Sequence, residues 1–202
     1  MNKIFDIIFK DLKKEKNIYY SLIVVVVISI LFGLFFITLL SASDKSLLTS
    51  NINNHFDLIN NGKYTINLLK NIINNNILSL IIWILGFSVI GIPIIIFILF
   101  YKGFILSFSI TSLIYNFKVD GIFFSFIYVF PHSILNLIIY FILSYYSFKL
   151  SIKIIDSLIN KKIFNFKFLK KYIIILLISI IFLTFSALYE SYVLPYLIKM
   201  IY

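Results

Sequence analysis

The sequence has no cysteine and no arginine, and only 13% of its 202 residues are charged. Without cysteine the chain cannot form a disulfide, a thiolate nucleophile or a Cys-based metal site. Its two histidines, His55 and His132, lie far apart along the chain and do not form a zinc-ligand pair. It also has no nucleophilic serine elbow, His–Glu metal motif or nucleotide-binding loop. The sequence therefore predicts neither an enzyme nor a protein with a bound cofactor or metal.

Apolar side chains are in excess. They make up 61% of the residues, and the mean hydropathy is +1.05. Soluble domains average roughly 45–50% apolar and 25% charged residues, so a water-soluble fold could not cover this apolar surface. We expect one all-α polytopic membrane domain over residues 1–202, with lipid as its solvent. All 18 basic residues are lysine, and we interpret their excess as a topology signal, with no nucleic acid as partner.

Five apolar blocks predict five spanning helices, with kinks in the second and the fourth. The blocks cover residues 19–40, 77–100, 103–117, 121–150 and 172–194. The first fits a spanning helix of about 20 residues better than the 7–15 apolar residues of a signal peptide.

The third block is short. Its length corresponds to only about 22 Å of helix, so it is either a short tilted crossing or one arm of a re-entrant hairpin completed by residues 121–130. We favour the crossing, with Lys102 and Lys118 reaching the headgroups at its two ends.

Lysine placement predicts the orientation in the cell membrane. Lysines concentrate in the N-terminal segment and in residues 149–171, and they are sparse in the loop 41–76. Because lysine excess marks the cytoplasmic side, we expect a cytoplasmic N-terminus and inner loop 151–171. The outer loop 41–76 and the C-terminus are expected to be extracytoplasmic. Residues 5–16 have the pattern of a basic amphipathic helix suited to anionic membrane lipid.

The outer loop carries two apolar stripes at helical spacing, separated by the turn signal Asn61-Gly62. The stripes are Leu48, Ile52, Phe56 and Ile59, and then Ile66, Leu69 and Ile73. We expect two short amphipathic helices that either lie on the outer membrane surface or offer Ile52, Phe56 and Ile59 to a partner.

Residues 90–104 read IGIPIIIFILFYKGF, which places a helix breaker and a charge inside an apolar run. Pro93 lacks a backbone donor and predicts a kink, and Gly91 permits the close approach of a neighbouring helix. Lys102 is expected to anchor a tight turn at the inner face, and Gly103 to relieve crowding in that turn. The stretch therefore predicts a kinked helix followed by a sharp hairpin.

The motif VFPHSILN, residues 129–136, places Pro131 and His132 near the middle of the membrane. Ionisable groups at that depth are functional candidates by default. A neutral histidine that hydrogen-bonds a carbonyl freed by the proline is the plainer interpretation.

The motif ALYESYVLPYLIK, residues 187–199, places Glu190 near the outer end of the last block and predicts that Pro195 ends the helix. Three roles are open for Glu190. It is interfacial, it pairs with a lysine, or it forms a network with Tyr189 and Tyr192.

Taken together, these motifs resemble the stage II sporulation protein M family. Residues 82–110, IWILGFSVIGIPIIIFILFYKGFILSFSI, look like its core motif, with a Gly-x-Pro and then a Lys-Gly-Phe. A later proline and a Glu-x-Tyr-x-x-Pro pattern also match. The matching positions are Gly91, Pro93, Lys102, Gly103, Pro131, Glu190, Tyr192 and Pro195. The resemblance covers nearly the whole chain in order.

The resemblance implies a non-enzymatic membrane scaffold. On this resemblance, the protein would anchor two peptidoglycan-degrading partners in the membrane, stage II sporulation proteins D and P. That complex remodels the septal wall during engulfment of the forespore. The alternative class is a membrane transporter or channel of unknown substrate, which kinked helices and polar residues in the membrane also fit. The lack of an evident inverted repeat favours the scaffold.

Overall fold

The computed structural model describes residues 16–61, 67–160 and 166–201, and these residues form helices with no strand among them. Two π-helical turns, π1 and π2, interrupt the fourth and fifth spans. The elements are α1 (Lys16–Leu39), α2 (Ala42–Asn60), α3 (Leu68–Leu85), α4 (Gly91–Phe117), α5 (Val119–Phe124), π1 (Ser125–Val129), α6 (Phe130–Ile159), α7 (Phe166–Leu188), π2 (Tyr189–Val193) and α8 (Leu194–Ile201).

Five stretches are long and apolar enough to cross a membrane. They are α1, α3, α4, residues 119–159 and residues 168–200. The prediction of an all-α membrane protein with five apolar spanning helices is therefore confirmed.

The boundary between the second and third spans differs from the prediction. The predicted spans, 77–100 and 103–117, meet in a hairpin at Lys102 and Gly103, but α4 runs through both residues without a break. The chain instead turns at residues 86–90, where the sequence is as apolar as the helices around it, so hydropathy does not mark the turn. With 27 residues, α4 extends about 40 Å. Neither a short tilted crossing nor a re-entrant hairpin describes it.

Pro93 lies at the start of α4, as its third residue. The first N–H groups of a helix have no intrahelical acceptor, so a proline there loses no hydrogen bond. Gly91 is required by the preceding turn, because an added Cβ would lie 2.1 Å from the Leu85 carbonyl oxygen. The predicted kink is therefore a turn between two helices.

Pro131 is accommodated by the π turn that precedes it. The Phe130 N–H donates to the Ser125 carbonyl, which is a bond from residue i to i−5. A proline ring clashes with the carbonyl four residues earlier, which here is that of Ile127 inside the wider turn. The fourth span therefore continues through Pro131.

Pro195 follows π2 in the same way. The Leu194 N–H donates to the Tyr189 carbonyl, and the carbonyl four residues before the proline, that of Ser191, lies inside the turn. The prediction that Pro195 ends the last helix is wrong, because α8 continues to Ile201.

α1 packs along α4 through small residues. An added Cβ on Gly33 would lie 2.0 Å from Ser107 Oγ and 2.6 Å from the Phe104 carbonyl oxygen, and one on Gly103 would lie 2.0 Å from Ser29 Oγ. Each helix thus has two small residues spaced by four, a pattern that lets backbones approach closely in membranes. Gly103 serves this approach in the middle of α4 and does not form a turn.

Several predicted loops are helical. α2 is the first predicted amphipathic helix, whereas Leu69 and Ile73 belong to the spanning helix α3. The predicted inner loop is mostly helix, since α6 continues to Ile159 and α7 begins at Phe166. The predictions made for residues 5–15, Gly62, Ile66 and residues 161–165 lie outside the described residues.

Candidate functional site

A stripe of polar residues runs along one face of α6. Its members are spaced three or four residues apart and so share that face. They are His132, Asn136, Tyr140, Ser144, Ser147 and Ser151. The stripe covers about 29 Å of helix, close to the roughly 30 Å hydrocarbon core of a bilayer. All members except His132 are buried. We call the interface that the stripe forms with α3 and α7 the polar seam.

At one end of the seam, hydroxyl groups bind carbonyls near the C-terminal end of α3. Ser151 Oγ donates to the Gly86 carbonyl oxygen over 2.9 Å. Tyr172 Oη donates to the Trp83 carbonyl oxygen over 2.7 Å, and Ser147 Oγ lies 2.7 Å from the same phenol. Because the phenol has one proton, Ser147 is the donor to Tyr172. These bonds satisfy carbonyls near a helix end, where the last C=O groups have no intrahelical partner.

At the other end, four residues connect four elements. Tyr140 Oη on α6 donates to the Asn75 carbonyl oxygen on α3 over 2.5 Å. Asn75 Nδ2 lies 3.5 Å from Glu190 Oε2 in π2. Lys102 Nζ on α4 lies 4.8 Å from the centroid of the Tyr140 ring, in a cation–π contact. The chain of contacts therefore runs from a half-buried cation to a half-buried carboxylate.

Two further amide contacts join α3 to the last span. Asn71 Nδ2 donates to Ser191 Oγ over 2.9 Å, and Asn76 Nδ2 lies 3.2 Å from Thr184 Oγ1. Polar bonds of this kind hold helices together where lipid gives no hydrophobic driving force.

Lys102 lies well inside a spanning helix. It is the twelfth residue of α4, about 17 Å from the start of the helix. The expectation that Lys102 snorkels at a turn is therefore wrong. Lys102 is connected to Glu190 through Tyr140 and Asn75. Glu190 contacts Asn75, a partner that none of the three roles open for it included.

His132 and Tyr192 stand apart from the contacts that connect Lys102 to Glu190. The His132 carbonyl accepts a bond from Ser186 Oγ over 3.3 Å, and its ring Nε2 lies 3.1 Å from Ser133 Oγ. The His132 ring lies 6.3 Å from that of Tyr128, measured between centroids. Tyr192 is exposed, so it does not join a network with Glu190.

Five buried polar atoms of the seam have no hydrogen-bond partner among the described residues. They are Asn76 Oδ1, Trp83 Nε1, His132 Nδ1, Asn136 Oδ1 and Ser144 Oγ. A buried polar atom without a partner costs about 1–3 kcal/mol. These atoms are therefore the places where the seam can form a further hydrogen bond.

α2 is held against the spans by its apolar face. Phe56 and Ile59 are each 1% exposed. The Phe56 ring lies 5.1 Å from that of Phe117 and 5.4 Å from that of Phe124, measured between centroids. The prediction that Phe56 and Ile59 offer a face to a partner is wrong, because the chain's own core covers them. Ile52 is partly buried beside them.

Polar contacts fix α2 as well. Asn116 Nδ2 on α4 donates to Asn53 Oδ1 over 2.7 Å. His55 Nε2 lies 2.9 Å from Tyr128 Oη in π1. Burial lowers the pKa of His55, so its neutral form is favoured. α2 is therefore positioned by both apolar and polar contacts with the third and fourth spans.

The family model described as stage II sporulation protein M matches residues 22–195, which is most of the chain. The chain belongs to this family. Together with the five apolar helices, the family makes it a multi-pass membrane protein of sporulation. No curated protein and no solved structure matches the chain.

The range matched to the stage II sporulation protein M family contains the whole polar seam and all of α2. Sequence reasoning found Lys102, His132 and Glu190, because each interrupts an apolar run. It missed the uncharged members of the seam, among them Asn75 on α3 and Tyr140 on α6. The spacing of polar residues along α6 is the signal that could have found the stripe.

Proposed function

We propose that this member of the stage II sporulation protein M family is a non-enzymatic scaffold of the cell membrane. It anchors wall hydrolases resembling stage II sporulation proteins D and P, in a peptidoglycan remodelling complex that acts on the septal wall during engulfment. The observation that carries the proposal is the fixed position of α2 on the bundle.

A helix held on one side is a suitable platform for a protein partner. The apolar side of α2 is covered by the chain's own core, whereas Ser50, Asn54 and Asp57 on its other side are exposed. An amphipathic helix that merely lies on lipid would bury its apolar face in the bilayer. A partner can therefore bind α2 through polar contacts without displacing it.

The exposed face of α2 is tested by charge changes that leave its core contacts intact. We expect the double variant Asn54→Lys and Asp57→Lys to lower the recovery of hydrolases with the solubilised protein about tenfold, the equivalent of roughly 1.4 kcal/mol. Asn160→Lys, at the exposed end of α6, is the matched control and should leave recovery unchanged. Equal recovery from all variants would count against docking on α2.

The proposal requires α2 and the C-terminus to be extracytoplasmic and the N-terminus cytoplasmic, as the lysine distribution predicts. The natural lack of cysteine allows single cysteines to be placed at Asn54 or Asn160. In intact cells an impermeant thiol reagent should label the first and not the second. Labelling of Asn160→Cys alone would reverse the orientation.

Passage of an ion or small solute along the seam is a second candidate function. Lys102 and Glu190 within spanning helices favour it, because charged groups there often mark transport pathways. Reconstituted protein should then give a flux that Glu190→Gln abolishes. The scaffold proposal expects no flux from either protein and normal recovery of hydrolases.

A further inference from the structure

A groove of about 620 Å³ separates α2 from α4. Phe108, Ser112 and Leu113 of α4 form its floor, and Leu48 and Ile52 of α2 contribute to its wall. It is distinct from the polar seam and from the exposed polar face of α2.

The elements that line the groove predict a position at the boundary between hydrocarbon and headgroups. Its floor belongs to the C-terminal half of a spanning helix, whereas α2 connects two spans and carries a polar outer face. The mainly apolar lining is joined by polar side chains, among them Asn51, His55 and Tyr128. This polarity matches an amphiphile with an apolar body and a polar end.

The lining provides little recognition of charge. No lysine contributes to the groove among the described residues. Its carboxylate, Asp44, accepts a hydrogen bond from Ser41 Oγ over 2.6 Å at the start of α2. His55 contacts Tyr128 and is favoured in its neutral form. A phosphate headgroup would therefore find no cation here.

The volume favours an occupant narrower than a spanning helix of a partner. One helical turn with its side chains is 10–12 Å wide and 5.4 Å long, so it occupies roughly 400–600 Å³. The groove has room for little more than one turn, whereas a spanning helix has five or six. Its size is that of a small-ligand pocket, and a narrow flexible chain fits it.

We propose that this groove binds one acyl chain of a glycerophospholipid from the adjacent leaflet, with the His55–Tyr128 pair at the polar end. The chain fills the space between α2 and α4 and holds α2 against the bundle. Because the lining offers no cation, binding depends on the acyl chain and hardly on the headgroup. This inference is independent of the scaffold proposal.

Photoreactive lipids test the inference on the full-length protein. Delipidated protein in detergent is incubated with phosphatidylglycerol or phosphatidylethanolamine that carries a diazirine on one acyl chain. We expect cross-links to map to residues 47–56 and 108–113, with similar yields for both headgroups. Ser112→Phe, which fills the floor, should lower the yield about tenfold, whereas Ile114→Phe, at a more exposed position of the same helix, should not.

Leu48→Trp fills the groove from α2 and gives an independent check if Ser112→Phe does not fold. Cross-links spread evenly over the exposed face of α1, with equal yields from wild type and both filling variants, would overturn the inference. A tenfold preference for the anionic lipid would also overturn it, because it would show recognition of the headgroup.

Discussion

The contact between α1 and α4 allows one substitution to be compared at two sites. Gly33→Ala and Gly103→Ala each add one methyl group to the same helix–helix interface, and each gains the same roughly 1 kcal/mol of helix propensity. The difference between the two variants therefore reports only what the new methyl group meets.

The two methyl groups meet different atoms. On Gly33 the added Cβ lies 2.6 Å from the Phe104 carbonyl oxygen, against 3.4 Å for ordinary contact. This backbone atom cannot rotate away, so the helices must separate. On Gly103 the clash is with the Ser29 hydroxyl, which can rotate, and the next atom, Ser29 Cβ, is 3.2 Å away. Because overpacking costs about 1–3 kcal/mol, we expect Gly33→Ala to be the less stable variant by about 1–2 kcal/mol.

Unfolding by SDS in mixed micelles measures this difference. The fluorescence of Trp83, the one tryptophan in the sequence, is a suitable probe, since its ring stacks on that of Tyr172 at 5.6 Å between centroids. Equal stabilities, or a less stable Gly103→Ala, would show that the close approach of α1 to α4 has been placed incorrectly.

Three further perturbations test other contacts. Tyr172→Phe should destabilise the bundle by about 1–2 kcal/mol, because Ser147 loses its acceptor, and an unchanged SDS midpoint would contradict this. Lys102→Met and Glu190→Gln should each destabilise, whereas the double variant should lose less than their sum because it leaves no unpaired charge. Strictly additive losses would show that the two charges do not interact. Because burial lowers the pKa of His55, the stabilisation gained from its neutral form is present above pH 6.5. It is lost as the pH falls toward the pKa that His55 has in the folded protein. Hydrogen exchange of α2, corrected for its intrinsic pH dependence, should therefore quicken on acidification in the wild type and not in His55→Gln.

The sequence was sufficient for the number and type of spanning helices, because apolar length follows directly from the thickness of the bilayer. It was insufficient for the turn at residues 86–90, where exposed apolar residues such as Phe87 and Ile90 keep the hydropathy high. Pro93 and Gly91 do indicate the start of a helix, since proline near a helix start is favourable. The turn was nevertheless predicted at Lys102, because a lysine is ordinarily expected at a membrane surface.

The sequence predicted single residues of the candidate site but not which of them lie together. Lys102 and Glu190 are visible because charge is rare in the apolar blocks. Their connection depends on Tyr140, whose ring contacts Lys102 and whose hydroxyl binds the Asn75 carbonyl. Asn75 lies in a segment predicted to be a loop. Only the packing of α3, α4, α6 and π2 brings these residues together, and no local pattern in the sequence contains that information.

The irregular backbone of the bundle is concentrated at the end where α2 lies. π1 supplies Tyr128 to α2, and π2 supplies Glu190 to the seam. The opposite end is held by regular helices and by hydroxyl bonds such as that from Ser151 to the Gly86 carbonyl. On the scaffold proposal, a partner that binds α2 therefore acts on the fourth span through π1. That span also carries Tyr140, which connects Lys102 to Asn75 and so to Glu190. On the same proposal, the polar seam resists displacement of the platform, which is a reason for the fold to keep charged groups within its spanning helices.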